Sequence, residues 1–78
     1  MVKIAERLRE LRKEQNVTQQ SVADYLGIKV RTYQYYEGDD HRPDYETLIK
    51  LADFFHVTTD YLLGRTDVRG MPSDGTEA

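Results

Sequence analysis

The sequence predicts an all-α domain of five short helices, and two features carry that prediction. Apolar residues recur at the three- and four-residue spacing of a single helix face, as at Ile4, Leu8 and Leu11. N-capping residues precede several of these runs, and glycines or polar turns follow them. The 78 residues are enough for one small core and leave no room for a deep substrate cleft.

Local signals give each helix a beginning and an end. Thr18 is a predicted N-cap and Gly27 a predicted C-terminus for the second helix, while Asp44 and Thr58 are predicted N-caps of the fourth and fifth. Gly64 ends the last helix. The predicted ranges are Val2 to about Gln15, Gln19 to about Leu26, about Val30 to Glu37, Tyr45 to about Phe55, and the Thr58 cap to about Leu63.

The helical spacing also predicts which side chains face the core. On the fourth helix Leu48, Ile49, Leu51, Ala52 and Phe55 are expected to be buried. Among the tyrosines, Tyr33 and Tyr36 are expected inside, Tyr25 partly buried and Tyr35 outside.

A change of composition at Arg65 predicts a domain boundary. From that residue onward the chain is rich in glycine and polar residues and has no apolar period. We therefore expect a folded domain over residues 1–64 and a disordered C-terminal tail over residues 65–78.

The charge is distributed unevenly along the chain, whose net charge is -3. Residues 1–36 carry seven Lys and Arg against four Asp and Glu, whereas residues 37–78 carry four against ten. A basic half is compatible with binding to a polyanion, although the acidic half weakens long-range attraction.

Several functional classes find no support in the residues. The chain has no cysteine, and no apolar run approaches the length of a membrane span. His41 and His56 have no partners at metal-ligand spacing, and the Asp39-Asp40 loop lacks the periodicity of a calcium site. Ser21 has no base arranged beside it. We therefore expect no enzyme activity, cofactor or metal, and a cytoplasmic, nucleoid-associated protein.

The stretch from Thr18 to Glu37 carries the strongest local signal. A short capped helix, a tight turn at Gly27 and a second short helix form a predicted helix-turn-helix. In that motif the first helix crosses the DNA backbone and the second lies in the major groove.

Further motifs at consistent spacing surround this unit. They are Arg7-Leu8-Arg9-Glu10-Leu11-Arg12, Val17-Thr18-Gln19-Gln20, Val22-Ala23-Asp24-Tyr25-Leu26-Gly27-Ile28, Glu37-Gly38, Arg42-Pro43, Glu46-Thr47-Leu48-Ile49-Lys50-Leu51-Ala52 and Val57-Thr58-Thr59-Asp60-Tyr61-Leu62-Leu63. With these residues the chain resembles the XRE family of Cro- and phage-repressor-type regulators, over roughly Ile4 to Leu63. The resemblance implies a compact five-helix, lambda-repressor-like DNA-binding domain.

The resemblance also assigns roles to individual positions. It implies that Gln19 binds a DNA phosphate and that Arg12 and Glu37 form a structural pair. It places the base-reading positions on the third helix, at Val30, Arg31, Gln34 and Tyr35.

The chemistry of these positions fits contact with DNA. Arg31 can donate two hydrogen bonds to guanine, and Gln34 can pair with adenine or a phosphate. Val30 can contact a thymine methyl group, and Tyr35 can reach a sugar or a phosphate. Further phosphate contacts are expected from the residues Thr18, Lys29 and Arg42.

Two positions depart from the family pattern. Lys29 stands where the family usually has a serine or threonine N-cap, so the third helix lacks that cap. Asp39 and Asp40 follow that helix in a loop that is often basic, and they would repel nearby phosphates, with His41 and Arg42 as compensating groups.

The combined prediction is a sequence-specific transcriptional regulator, with repression expected. Members of the family commonly bind near-palindromic operators as homodimers, with recognition helices about 34 Å apart. The alternative is an antitoxin or protein-interaction module on the same fold, in which the acidic C-terminal half and the tail bind a protein partner.

Overall fold

The computed structural model describes residues 3–70, and over this range it contains five helices and no strand. The all-α prediction is confirmed, and the predicted helices agree with the observed ones to within one or two residues. The helices are α1 (Ile4–Gln15), α2 (Gln19–Leu26), α3 (Val30–Glu37), α4 (Tyr45–Phe55) and α5 (Thr59–Leu62).

The helix ends follow the capping residues that the sequence supplies. Thr18, Asp44 and Thr58 each accept a hydrogen bond from the backbone amide three residues ahead, at the start of α2, α4 and α5. Gly27 ends α2 with φ of 73°, a left-handed conformation that glycine adopts without steric cost. Lys29 precedes α3 in an extended backbone conformation and provides no side-chain cap.

One hydrophobic core joins all five helices, because each contributes apolar side chains from one face. Tyr33 lies fully buried on α3, with α2 on one side and α1 on the other. The fully buried large side chains are Tyr33, Phe55, Leu8, Leu11, Leu51, Leu62 and Val22. This shared core fixes α3 against both neighbours and leaves its opposite face on the surface.

Ile49, expected in the core, is exposed, and Leu48 and Tyr36, also expected there, are only half-buried. Ile49 is 41% exposed, because the buried face of α4 is formed by Leu51, Ala52 and Phe55, and a one-residue step from Leu48 turns the helix by about 100°. Tyr25 is 52% exposed, although its ring lies 5.0 Å from that of Phe54.

The structure describes contacts for residues 65–70, the first part of the tail predicted from Arg65 onward. Arg69 forms two hydrogen bonds with Glu14 on α1, at 2.5 and 2.8 Å, and its carbonyl accepts a hydrogen bond from the Thr58 amide. Asp67 pairs with Arg7 at 2.7 Å. Opposite charges on α1 therefore hold this segment, and residues 71–78 of the predicted tail lie outside the described residues.

Within residues 3–70, no helix is both long enough and apolar enough to cross a membrane.

Candidate nucleic-acid interface

The outer face of α3 presents a row of polar side chains. Arg31, Gln34 and Tyr35 are all exposed, and their spacing of three and four residues places them on one side of the helix. Tyr33 and Glu37 lie on the opposite side and are buried. Val30, also predicted to read bases, is half-buried and packs against the core, so only part of its side chain is accessible.

The N-terminus of α2 lies next to this row. Thr18 is exposed, but its hydroxyl oxygen accepts a hydrogen bond from the Ser21 amide at 3.1 Å. The next two backbone amides, of Gln19 and Gln20, belong to the first turn and have no acceptor within α2. Such free amides and the helix dipole favour an anion at this end of the helix.

A chain of hydrogen bonds connects the buried ion pair to the exposed face of α3. Arg12 donates from Nε and Nη2 to the two carboxylate oxygens of Glu37, at 2.6 and 3.2 Å. Gln19 donates from Nε2 to Glu37 at 3.1 Å, and Gln34 donates from Nε2 to the Gln19 amide oxygen at 3.2 Å. The structure thus brings together two residues predicted to contact DNA and the two predicted to form a structural pair.

Burial and hydrogen bonding act in opposite directions on the Glu37 carboxyl group. Desolvation raises its pKa, but the hydrogen bonds from Arg12 and Gln19 outweigh that effect, and the pKa lies below its ordinary value. The same pairing raises the pKa of Arg12. Both groups are therefore charged near neutral pH, and they tie α1 to the end of α3.

A second pair of polar side chains lies on the outer face of α3. The Nε of Arg31 donates a hydrogen bond to the Tyr35 hydroxyl oxygen at 3.2 Å. The ring of Tyr35 in turn packs against the ring of His41 in a T-shaped arrangement, with 4.9 Å between the ring centroids. Nη1 and Nη2 of Arg31 form no hydrogen bond with the described residues and are available to a ligand.

The loop after α3 is less repulsive to phosphates than its sequence suggests. Asp39 forms an ion pair with Lys3 at 3.0 Å, which offsets its charge. Arg9 donates a hydrogen bond to the backbone carbonyl of Glu37 at the end of α3. Neither contact was predicted, because Lys3 and Arg9 lie 36 and 28 residues from their partners and no local pattern signals such pairs.

Arg42 and Lys29, both predicted to bind phosphates, are exposed at the two ends of the α3 region. Within residues 3–70, the cations Lys29, Arg31 and Arg42 form no ion pair with an acidic side chain. The paired cations, by contrast, are Lys3, Arg7, Arg12, Arg65 and Arg69. Some of the cations that form no ion pair therefore lie in or next to the helix-turn-helix.

A family model described as helix-turn-helix matches residues 8–62, which is more than half of the chain. The chain belongs to the helix-turn-helix family of Cro- and phage-repressor-type (XRE) regulators. The family assignment made from the sequence motifs is thereby confirmed.

Named relatives within this helix-turn-helix family are regulators and repressors. The HTH-type transcriptional regulator AnsR of Bacillus subtilis (strain 168) is 52% identical over 60 residues, which cover 77% of this chain and 52% of AnsR. The cryptic phage CTXphi transcriptional repressor RstR of Vibrio cholerae is 42% identical over 64 residues, which cover 82% of this chain and 57% of RstR. The chain spans about half the length of the curated relatives that it matches.

Solved structures of this helix-turn-helix fold agree with the assignment. A transcriptional regulator from Listeria innocua superposes with a TM-score of 0.76 at 39% identity, over 80% of this chain and 58% of that one. The P22 c2 repressor, solved in complex with a synthetic operator, superposes with a TM-score of 0.76 at 25% identity, over 81% of this chain and 96% of that one. The lambda-repressor-like fold predicted from the sequence is confirmed.

Proposed function

We propose that this chain is the DNA-binding domain of a sequence-specific transcriptional repressor, which inserts α3 into the major groove of its operator. The observation that carries the proposal is the outer face of α3. That face exposes Arg31 with its Nη1 and Nη2 groups available, and Lys29 stands at the start of the same helix. A short helix with donors of this kind suits readout of base edges in the major groove.

The flanking elements supply the expected backbone contacts. The N-terminus of α2 offers free amides to a phosphate, and Gln19 lies at that end of the helix. Lys29 and Arg42 add positive charge on either side of α3. We assign Thr18 mainly to capping, because its hydroxyl already accepts the Ser21 amide.

The regulator's assembly and partners form part of the same proposal. Binding as a homodimer to a near-palindromic operator follows from the family, with the recognition helices about one helical turn apart. The names of the relatives favour a regulator over an antitoxin and over an enzyme. An acidic C-terminal half leaves a surface for a basic protein partner, and DNA binding would place the protein at the nucleoid.

Selection from a library of random DNA duplexes tests the proposal directly. We expect the full chain to enrich a pair of inverted half-sites, and a fluorescently labelled duplex with that sequence to bind more tightly than a scrambled one. Arg31→Ala should relax the preference at one base pair of each half-site, with a loss of discrimination of about 1–3 kcal/mol.

Arg65→Ala is the matched control, because Arg65 lies far along the chain from α3 and forms only an exposed pair with Asp60 at 3.8 Å. This variant should select the same sequence as the wild type. A library that shows no enrichment with the folded wild-type protein would contradict sequence-specific binding.

A further inference from the structure

We propose that Tyr35 acts as a positioning residue for Arg31, so that the two side chains form one reading unit in which only the arginine contacts a base. This inference rests on the proposed DNA-binding function and concerns how its specificity is produced. It changes the role of Tyr35 from a base-reading group to a support for the neighbouring guanidinium.

The hydrogen bond between the two side chains defines the orientation of the arginine. Arg31 and Tyr35 lie four residues apart on α3, and the single Nε–H of Arg31 donates to the tyrosine hydroxyl oxygen at 3.2 Å. The guanidinium has five N–H groups in a rigid plane. With Nε engaged, the two Nη groups at the far end of the plane are the ones presented to a ligand.

Tyr35 is itself held in place from the other side. Its ring packs against the His41 ring in a T-shaped arrangement with 4.9 Å between the centroids, and the residue as a whole is 36% exposed. The backbone carbonyl of Tyr35 accepts hydrogen bonds from the amides of Asp40 and His41, at 3.0 and 3.3 Å. The loop after α3 is therefore folded back onto the residue that supports Arg31.

The hydrogen bond to Tyr35 restricts the rotamers of Arg31 before DNA binds. Less conformational entropy is therefore lost when Arg31 contacts a base. A free arginine on a helix surface samples many rotamers, and fixing them costs free energy at the moment of binding. The terminal Nη pair matches the two acceptors, O6 and N7, of guanine. The unit formed by His41, Tyr35 and Arg31 therefore favours guanine at the base pair that Arg31 reaches.

Tyr35→Phe separates this role from the alternatives, because it removes the hydroxyl and keeps the ring. The half-site selected by the wild type is compared with the three base substitutions at the position that Arg31→Ala relaxes, by fluorescence anisotropy. We expect the ratio of affinities for the selected and the substituted bases to fall about three- to tenfold in Tyr35→Phe, at that position alone and with an unchanged Tm. In an Arg31→Ala background the same substitution should have no further effect.

Tyr45→Phe is the matched control, since Tyr45 is exposed on α4, and it should leave every preference unchanged. A loss with Tyr35→Phe that persists in the Arg31→Ala background would show a direct contact of the hydroxyl with DNA and overturn the inference. Wild-type discrimination in Tyr35→Phe would overturn it as well. A wild-type protein without sequence preference would instead contradict the proposed function.

Discussion

At the scale of single residues, Glu37 stands at the meeting point of three helices. Its side chain is only 5% exposed, and it accepts hydrogen bonds from Arg12 on α1 and Gln19 on α2. A buried carboxylate without such partners would be costly, and removing it leaves a guanidinium and an amide without their acceptor. The residue therefore contributes to stability mainly through the groups that it satisfies.

Glu37→Ala should lower the free energy of unfolding by about 2–4 kcal/mol, because it breaks a largely buried ion pair and leaves Arg12 uncompensated. Urea denaturation followed by circular dichroism measures the change. Glu10→Ala provides the control, since Glu10 is exposed on α1, and it should change stability by less than about 0.5 kcal/mol. Equal losses in the two variants would contradict the role given to Glu37.

The lowered pKa of Glu37 predicts how stability depends on pH. A carboxyl group whose pKa is lower in the folded protein than its ordinary value of 4.5 binds protons more readily in the unfolded chain. Its contribution is therefore complete above pH 4.5 and is lost as the pH falls through the lowered folded value. Glu14 and Asp44 also have lowered pKa values and add to the same trend.

Urea denaturation of the wild type and of Glu37→Gln at a series of pH values below 4.5 measures this dependence. We expect the free energy of unfolding of Glu37→Gln to fall less steeply with decreasing pH than that of the wild type. The slope that remains should come from Glu14 and Asp44. Parallel curves for the two proteins would mean that Glu37 does not titrate differently in the folded and unfolded states.

At the scale of secondary-structure elements, α3 begins differently from α2, α4 and α5. The helices α2, α4 and α5 each have a side-chain cap, whereas Lys29 precedes α3 in an extended conformation without one. The backbone there, with φ of -72° and ψ of 146°, is the conformation that a capping residue adopts. The start of α3 therefore carries a positive charge at the position where a capping side chain would stabilise the helix.

Lys29→Ser should therefore stabilise the fold by about 0.5–1 kcal/mol and weaken DNA binding, because it adds a cap and removes a cation. Thermal unfolding measures the first effect. Anisotropy titrations at several salt concentrations measure the second, and the slope of log K against log salt should become shallower by about 1.

Lys29→Ala separates the two effects, since it removes the charge without adding a cap. It should match the serine variant in DNA affinity and lack its gain in stability. A serine variant that is no more stable than the alanine variant would show that the start of α3 gains nothing from a cap.

At the scale of the whole molecule, the segment after α5 closes the fold by binding back to α1. The guanidinium of Arg7 lies 3.9 Å from the centroid of the Tyr61 ring, and that of Arg69 lies 5.2 Å from it. Arg69 also donates to the Tyr61 hydroxyl and forms its double hydrogen bond with Glu14. These contacts connect the first helix with the last one through residues that lie outside α2 and α3.

Arg69→Ala should lower Tm without changing DNA affinity, because it removes a two-point ion pair and a contact with the Tyr61 ring. Differential scanning calorimetry and anisotropy measure the two quantities. Arg65→Ala is the control, since its ion pair is long and exposed and contributes little. A loss of DNA affinity in Arg69→Ala at temperatures where the variant is fully folded would show that the Arg69 contacts also affect DNA binding.

The sequence by itself determined the five helices and the unit that is proposed to enter the groove. Helical periodicity and capping depend on residues within one or two turns, so Thr18, Gly27 and Asp44 fix helix ends without reference to the rest of the chain. The motifs at their spacing also identified the family. Burial at the edge of a helix face was harder to predict, as Ile49 shows, because it depends on how far the neighbouring helices reach.

Only the tertiary structure decided which polar side chains are already engaged and which remain for a ligand. Gln34 and Gln19 lie 15 residues apart yet share a hydrogen bond, and Arg69 meets Glu14 across 55 residues. Such pairs leave no local pattern, because they depend on how whole helices are placed by the core. The same packing places Arg31 beside Tyr35, and on this arrangement rests the proposal that Arg31 reads a base and Tyr35 supports it.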